Sequence, residues 1–243
     1  MSDQDRRFWD KAARKYATSP IADMAGFEKT LTRTREFLAP GHRVLELGCG
    51  TGTTAMRLAD AVENYLATDI SEEMIAISRE KFAGSGRTDL AGRLSFRQAT
   101  ASTLASENSR YDAVLGFNYL HLAGDTSAVL GNIRRVLKPH GLFISKTPCV
   151  GDMNPLVRLA IPLMRLVGKA PSSVTPFSTI SLEREIRTAG FELLQSELHG
   201  SQGKDVRPFI VARALWQGTP ALKPASLRPP LPCCSPRDGQ PRP

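Results

Sequence analysis

The stretch Val44–Ala55, VLELGCGTGTTA, limits the fold more than any other part of the chain. Val44, Leu45 and Leu47 make a short apolar run that encloses one carboxylate, Glu46. Gly48, Gly50 and Gly52 follow at every second position, and the helix-compatible segment TTAMRLADAV comes next. A strand that breaks into glycines and turns into a helix presents free backbone N–H groups to a ligand. Glycine lets the backbone approach that ligand closely and take positive φ. In an open parallel sheet such a ligand sits outside the carboxyl ends of the strands, where strand order reverses.

The rest of the chain repeats the pattern. NYLATDI, RLSFRQA, YDAVLGF and GLFISK are strand-like. SEEMIAISREKF reads as a helix with Ser71 as N-cap and two acids in its first turn, where the helix dipole favours them. DTSAVLGNIRRVLK places Val129, Leu130, Ile133, Val136 and Leu137 on one helical face, and Pro139 stops it. SLEREIRTAG is a short helix expected to start at Ser181 and end at Gly190. FELLQSEL and VRPFIVARAL follow with a short loop between them, which predicts an antiparallel pair. Alternating strand and helix predicts a mostly parallel sheet covered on both faces. Two amphipathic helices precede the sheet, one over about Arg6 to Tyr16 and one over about Phe27 to Leu38.

The glycine loop does not fit a dinucleotide. In the GxGxxG pattern Gly48 and Gly50 take the first two positions, Thr53 stands at the third, and Gly52 comes one residue early. Glu46, two residues before the first glycine, is poorly placed for a pyrophosphate and suits a cation. Asp69 ends the second strand nineteen residues after Gly50, where an acid accepts hydrogen bonds from ribose hydroxyls, and Ile70 beside it suits a purine face. The pair of acids asks for a ligand with a positive part near the loop and a ribose further away. A nicotinamide-dependent oxidoreductase is the weaker alternative, and a cofactor-binding protein without catalysis is another.

VLELGCGTGTTA, ATDIS with Met74, FRQAT and YDAVLGFNYLHL…VLKPHGLFISKT together resemble the successive motifs of the class I S-adenosylmethionine-dependent methyltransferases, in the small-molecule branch of ubiquinone/menaquinone type. The resemblance covers about residues 5–213. It implies an α/β, Rossmann-like sheet of seven strands in the order 3-2-1-4-5-7-6, strand 7 antiparallel, with helices on both faces. It implies S-adenosyl-L-methionine as cofactor and a small, partly apolar methyl acceptor. By the same resemblance Glu46, Gly48, Cys49 and Gly50 surround the methionine part, Asp69 binds the ribose, and Ile70 and Met74 wall the adenine. Ala99 and Thr100 match the segment at the adenine edge, where many members carry aspartate; Thr100 removes that carboxylate. Phe117 and Asn118 match residues that face the reacting end, and Tyr16 resembles a tyrosine that closes over the cofactor. His121, three residues past Asn118, is the one candidate for a catalytic base.

The resemblance divides the chain into N-terminal helices over residues 1–40, a catalytic domain over 41–216, and an apolar insertion at about 150–178. The insertion, GDMNPLVRLAIPLMRLVGKAP, is expected to wall or lid the acceptor pocket, ahead of core packing, a dimer contact or peripheral contact with a membrane surface. Residues 217–243 hold eight of the seventeen prolines and are expected to be a disordered tail. The 32 basic and 24 acidic residues give a net charge of +8. They form no run of five basic residues, so no nucleic-acid partner is expected. The four cysteines show no metal-ligand spacing. No apolar run reaches the ~18–20 residues of a membrane span. The N-terminal residues lack the apolar core of a signal peptide. The expectation is a cytoplasmic monomer or homodimer.

Overall fold

A computed structural model describes residues 2–153, 171, 173–200 and 206–215 of the 243. Most of the apolar insertion and the proline-rich tail lie outside the described residues. Seven strands form one sheet: β1 (Arg43–Leu47), β2 (Asn64–Asp69), β3 (Leu94–Gln98), β4 (Tyr111–Phe117), β5 (Leu137–Lys146), β6 (Phe191–Leu198) and β7 (Pro208–Ala214). Their order is β3-β2-β1-β4-β5-β7-β6, with β7 antiparallel to both neighbours. The helices are α1 (Asp3–Thr18), α2 (Met24–Glu36), α3 (Thr53–Leu58), α4 (Glu72–Gly84), α5 (Ala101–Ala105), α6 (Thr126–Val136) and α7 (Thr179–Thr188).

The period-2 alternation of the strands sorts the core into two layers. Val44, Tyr65, Ala67, Leu115, Ile144 and Val211 pack with Leu31 of α2, Ala55 and Leu58 of α3 and Ile75 of α4. On the other face Leu45, Leu47, Val114, Phe143 and Ile210 pack with Leu104 of α5, Ile133 of α6 and Ile186 of α7. β7 is buried almost throughout because it runs between β5 and β6, whereas β6 is an edge strand and exposes Glu192, Gln195 and Ser196. Among the described residues no helix is long and apolar enough to cross a membrane.

Two local expectations are corrected, and one short helix was not expected. The N-cap of α7 lies three residues before Ser181: Ser178 is the N-cap, and Ser181 sits at N3 as the other half of a capping box. β5 begins at Leu137 rather than Gly141, because Leu137 pairs with Tyr111 before the register shifts to Ala113 with Leu142. Pro139 lies within that irregularity, where a ladder donor is dispensable. The short helix α5 carried no periodic signal; it is held by a capping box in which Thr100 Oγ1 accepts from Thr103 N and Thr103 Oγ1 accepts from Thr100 N.

The N-terminal helices are anchored to the sheet layers. Arg14 of α1 bridges to Glu73 and Glu80 of α4, and Ser71 Oγ donates to Asp10 Oδ1 at 2.7 Å. Ala13, Met74 and Ile77 make a small apolar seam between α1 and α4. His199, stacked on Phe209 with its Nδ1 3.2 Å from Thr30 Oγ1, fastens α2 to the β6–β7 connection.

Candidate active site

β1 and β2 run side by side, with Glu46 paired to Ala67 and Leu47 to Thr68. Their carboxyl ends bring Glu46 and Asp69 to one rim. Glu46 is 2% exposed, and Tyr65 OH donates to its Oε2 at 2.9 Å. Burial pushes its carboxyl up to about 7, against the pull of the Tyr65 hydrogen bond. Asp69 accepts from Gly50 N at 3.0 Å and from Ser71 N at 2.9 Å. Burial raises its carboxyl, and these backbone donors oppose the rise.

The loop between the two acids is braced at each step. Cys49 N donates to Thr68 O at 2.9 Å, and Ser78 Oγ donates to Gly50 O at 3.0 Å. Gly48 has φ +70, and a Cβ there would stand 2.7 Å from Tyr119 Cδ2. Only glycine meets both conditions. Burial holds the Cys49 thiol well above its ordinary range, which keeps it in the neutral form.

A cavity of about 760 Å³ opens over this rim. It is lined by Tyr16, Glu46, Gly48, Cys49, Gly50, Asp69, Met74, Phe117, Asn118 and His121 from the sequence-based set. The remaining three, Ile70, Ala99 and Thr100, line a small crevice beside it that shares Gly48, Asp69 and Tyr119 with the cavity. The Thr100 N–H is occupied by the α5 capping box. The Tyr16 ring edge lies against Gly50, and Tyr16 meets Trp9 edge-on at 6.4 Å between ring centroids.

The far wall joins Asn118 and His121 to two residues that sequence reading did not single out, Lys146 and Arg207. Lys146 ends β5, is 7% exposed, and its Nζ donates to Gly26 O at 3.0 Å. Arg207 precedes β7 and donates to Asn118 Oδ1 at 3.4 Å. Asn118 takes φ 52 as β4 ends, and its N–H donates to Lys146 O at 2.7 Å. His121 presents a neutral imidazole; burial and the Arg207 charge push its pKa down to about 4. A lysine closing the apolar run GLFISK was a visible signal. Arg207 had none, because only the β5–β7 pairing brings it to the rim. Pro148, just ahead of the insertion, and Val150, Pro171 and Val174, within its bounds, also line the cavity.

Residues 44–141 match the methyltransferase domain family. Over these residues the chain carries a methyltransferase domain. Demethylmenaquinone methyltransferase from Leptospira interrogans is 35% identical to it over 165 residues, covering 63% of each chain. Squalestatin tetraketide synthase from Phoma sp. is 26% identical over 86% of this chain and 8% of its own length. The chain thus spans less than two thirds of either relative. Among solved structures, magnesium protoporphyrin IX methyltransferase from Synechocystis with bound SAH superposes with a TM-score of 0.64 at 17% identity, covering 86% of this chain and 97% of that one. This likeness carries the fold. The cofactor of a class I methyltransferase domain is S-adenosylmethionine, and the donor set fits it: a buried carboxylate for an ammonium, a second for a diol, and a glycine that leaves the backbone uncovered between them.

Proposed function

We propose that this protein transfers a methyl group from S-adenosylmethionine to a small, partly apolar molecule. The observation that carries the reading is the pair Glu46 and Asp69, two buried carboxylates on adjoining strand ends, joined by the glycine loop and facing one cavity. In this reading Glu46 holds the amino group of the cofactor. Gly48, Cys49 and Gly50 offer backbone to its methionine part. Asp69 accepts from the ribose hydroxyls, and Ile70, Met74, Ala99 and Thr100 enclose the adenine. Phe117 and Asn118 border the reacting end, and Tyr16 covers the loop from α1.

Bound S-adenosylmethionine supplies an electrophilic sulfonium methyl. The chain's own part is to hold the acceptor in line and keep water out, and positioning of this kind supplies ~7–11 kcal/mol. Residues 1–40 and 41–216 act as one catalytic unit in this reading, because α1 and α2 contribute Tyr16, Phe27 and Leu31 to the cavity wall. A cytoplasmic setting accords with Cys49 and Cys149 as buried free thiols.

Isothermal titration with S-adenosylhomocysteine and with NADH tests the cofactor. Heat with the first and none with the second is the expected result. Tight NADH binding alone would make the protein an oxidoreductase. Good S-adenosylhomocysteine affinity with no methyl transfer across a broad acceptor panel would leave a binding protein.

A further inference from the structure

The small crevice beside the cavity has a volume of about 20 Å³, room for the edge of a planar ring and no more. It joins the cavity at Gly48, Asp69 and Tyr119, which line both. Three side chains in its lining carry hydrogen-bonding groups: Asp69, Thr100 and Tyr119. We infer that Tyr119 is a specificity-determining residue for the cofactor, its hydroxyl hydrogen bonding to the edge of the purine base. The inference rests on the methyltransferase reading above and adds to it a contact that the reading did not contain.

The other two side chains are already committed. Asp69 Oδ2 accepts from Gly50 N and Oδ1 from Ser71 N, and the ribose takes what capacity is left. Every polar group of Thr100 is used inside α5. Its Oγ1 accepts from Thr103 N at 3.2 Å, its N–H donates to Thr103 Oγ1 at 2.9 Å, and its carbonyl accepts from Leu104 N at 3.1 Å. Neighbouring backbone is engaged as well. Ile70 O accepts from Gln98 Nε2 at 3.0 Å, and Ala99 N donates to Asp69 O at 3.0 Å. The segment after β3 therefore walls the crevice, and its Thr100 has no side-chain group to spare for a base.

Tyr119 differs. Its hydroxyl makes no hydrogen bond among the described residues, and it is not one of the fully enclosed polar atoms without a partner. Burial and the nearby Asp69 raise the phenol above its ordinary range, so it keeps its proton and can donate as well as accept. Two glycines seat the ring. A Cβ on Gly48 would stand 2.7 Å from Tyr119 Cδ2, and a Cβ on Gly116 would stand 3.5 Å from Cδ1. The residue is 6% exposed, so the hydroxyl is held in place before a ligand arrives. A base that lacks the matching atom would cover this hydroxyl and leave it unpaired, and that penalty is what discriminates between ligands.

Calorimetry on the full-length protein reads the contact without turnover. The ligands are S-adenosylhomocysteine and its 6-deamino, 1-deaza, 3-deaza and 7-deaza analogues, each lacking one hydrogen-bonding group of the base. Tyr119→Phe keeps the ring and is expected to weaken S-adenosylhomocysteine by about threefold to tenfold, the loss of one neutral hydrogen bond. One analogue is expected to bind the unmodified protein more weakly by a similar factor and to lose nothing further in Tyr119→Phe, because the same bond is then missing from either side. Equal affinity of the unmodified protein for S-adenosylhomocysteine and all four analogues overturns the inference, whether or not the variant folds. A folded Tyr119→Phe with unchanged affinity also overturns it, as does a loss of the same size for every analogue, which would put the hydroxyl on the ribose. Failure of S-adenosylhomocysteine itself to bind the unmodified protein overturns the cofactor reading instead.

Discussion

The loop end and the far end of the cavity are stiffened in different ways. At the loop end Asp69 takes two backbone N–H groups, Glu46 takes a buried tyrosine hydroxyl, and the loop is tied to Thr68 and Ser78. Every group is fixed before a ligand arrives, which reduces the ordering cost of binding. At the far end two long side chains reach the rim, Lys146 from the end of β5 with its Nζ donating to Gly26 O and Arg207 from the residue before β7 donating to Asn118 Oδ1. The first arrangement is built from backbone and short side chains within one loop, and the second from long side chains that meet across separate elements.

The largest effect that would expose this difference is expected at Gly48. Valine there combines a β-branched side chain with φ +70 and a Cβ 2.7 Å from the Tyr119 ring. Gly48→Val should abolish S-adenosylhomocysteine binding by calorimetry and cost about 1–3 kcal/mol of stability in a urea melt as Tyr119 shifts. A variant that binds the ligand normally would place the cofactor away from the loop.

Asp69→Ala is expected to be milder and confined to one end. It removes the ribose acceptor and frees Gly50 N and Ser71 N. Cofactor affinity should weaken by about 1–3 kcal/mol, measured by calorimetry with S-adenosylhomocysteine. An unchanged dissociation constant would remove Asp69 from the ribose site.

The same division governs what the sequence disclosed. Glu46, the glycines and Asp69 lie within 24 residues, and each has a local reason to be noticed: an acid in an apolar run, residues without side chains, an acid at a strand end. Most strands and helices were legible for a related reason, since each carries its own periodicity, whereas the order of the strands in the sheet came from the family resemblance. At the far end Asn118 and His121 were marked by the resemblance, whereas Lys146 and Arg207 join them only because β4, β5 and β7 are neighbours in space. Tyr65 escaped notice as the partner of Glu46, because a tyrosine in a strand looks like core until the register of β1 against β2 is known. The missed start of α7 has a simpler cause. Ser178 and Ser181 are both good caps, and only the reciprocal bonding between them tells which is N-cap and which is N3.

The Glu46 effect is spread over a range of pH, and its sign is diagnostic. The carboxyl titrates near 4.5 when exposed and at about 7 in the folded, ligand-free protein. Between those values the folded state keeps a proton that the unfolded state has lost. Stability from this group is therefore fully present below about 4.5 and is lost as pH rises through about 7, a swing of about 3 kcal/mol. Cofactor affinity should run the other way. An ammonium needs the carboxylate, so binding must expel the proton, and affinity should rise about tenfold per pH unit up to about 7 and then level. Glu46→Gln should flatten both curves, leaving weak binding that ignores pH and a melting midpoint without this component. Melts and calorimetry between pH 5 and 8 check the opposed slopes. Wild-type affinity that is flat across that range would remove Glu46 from the ammonium site.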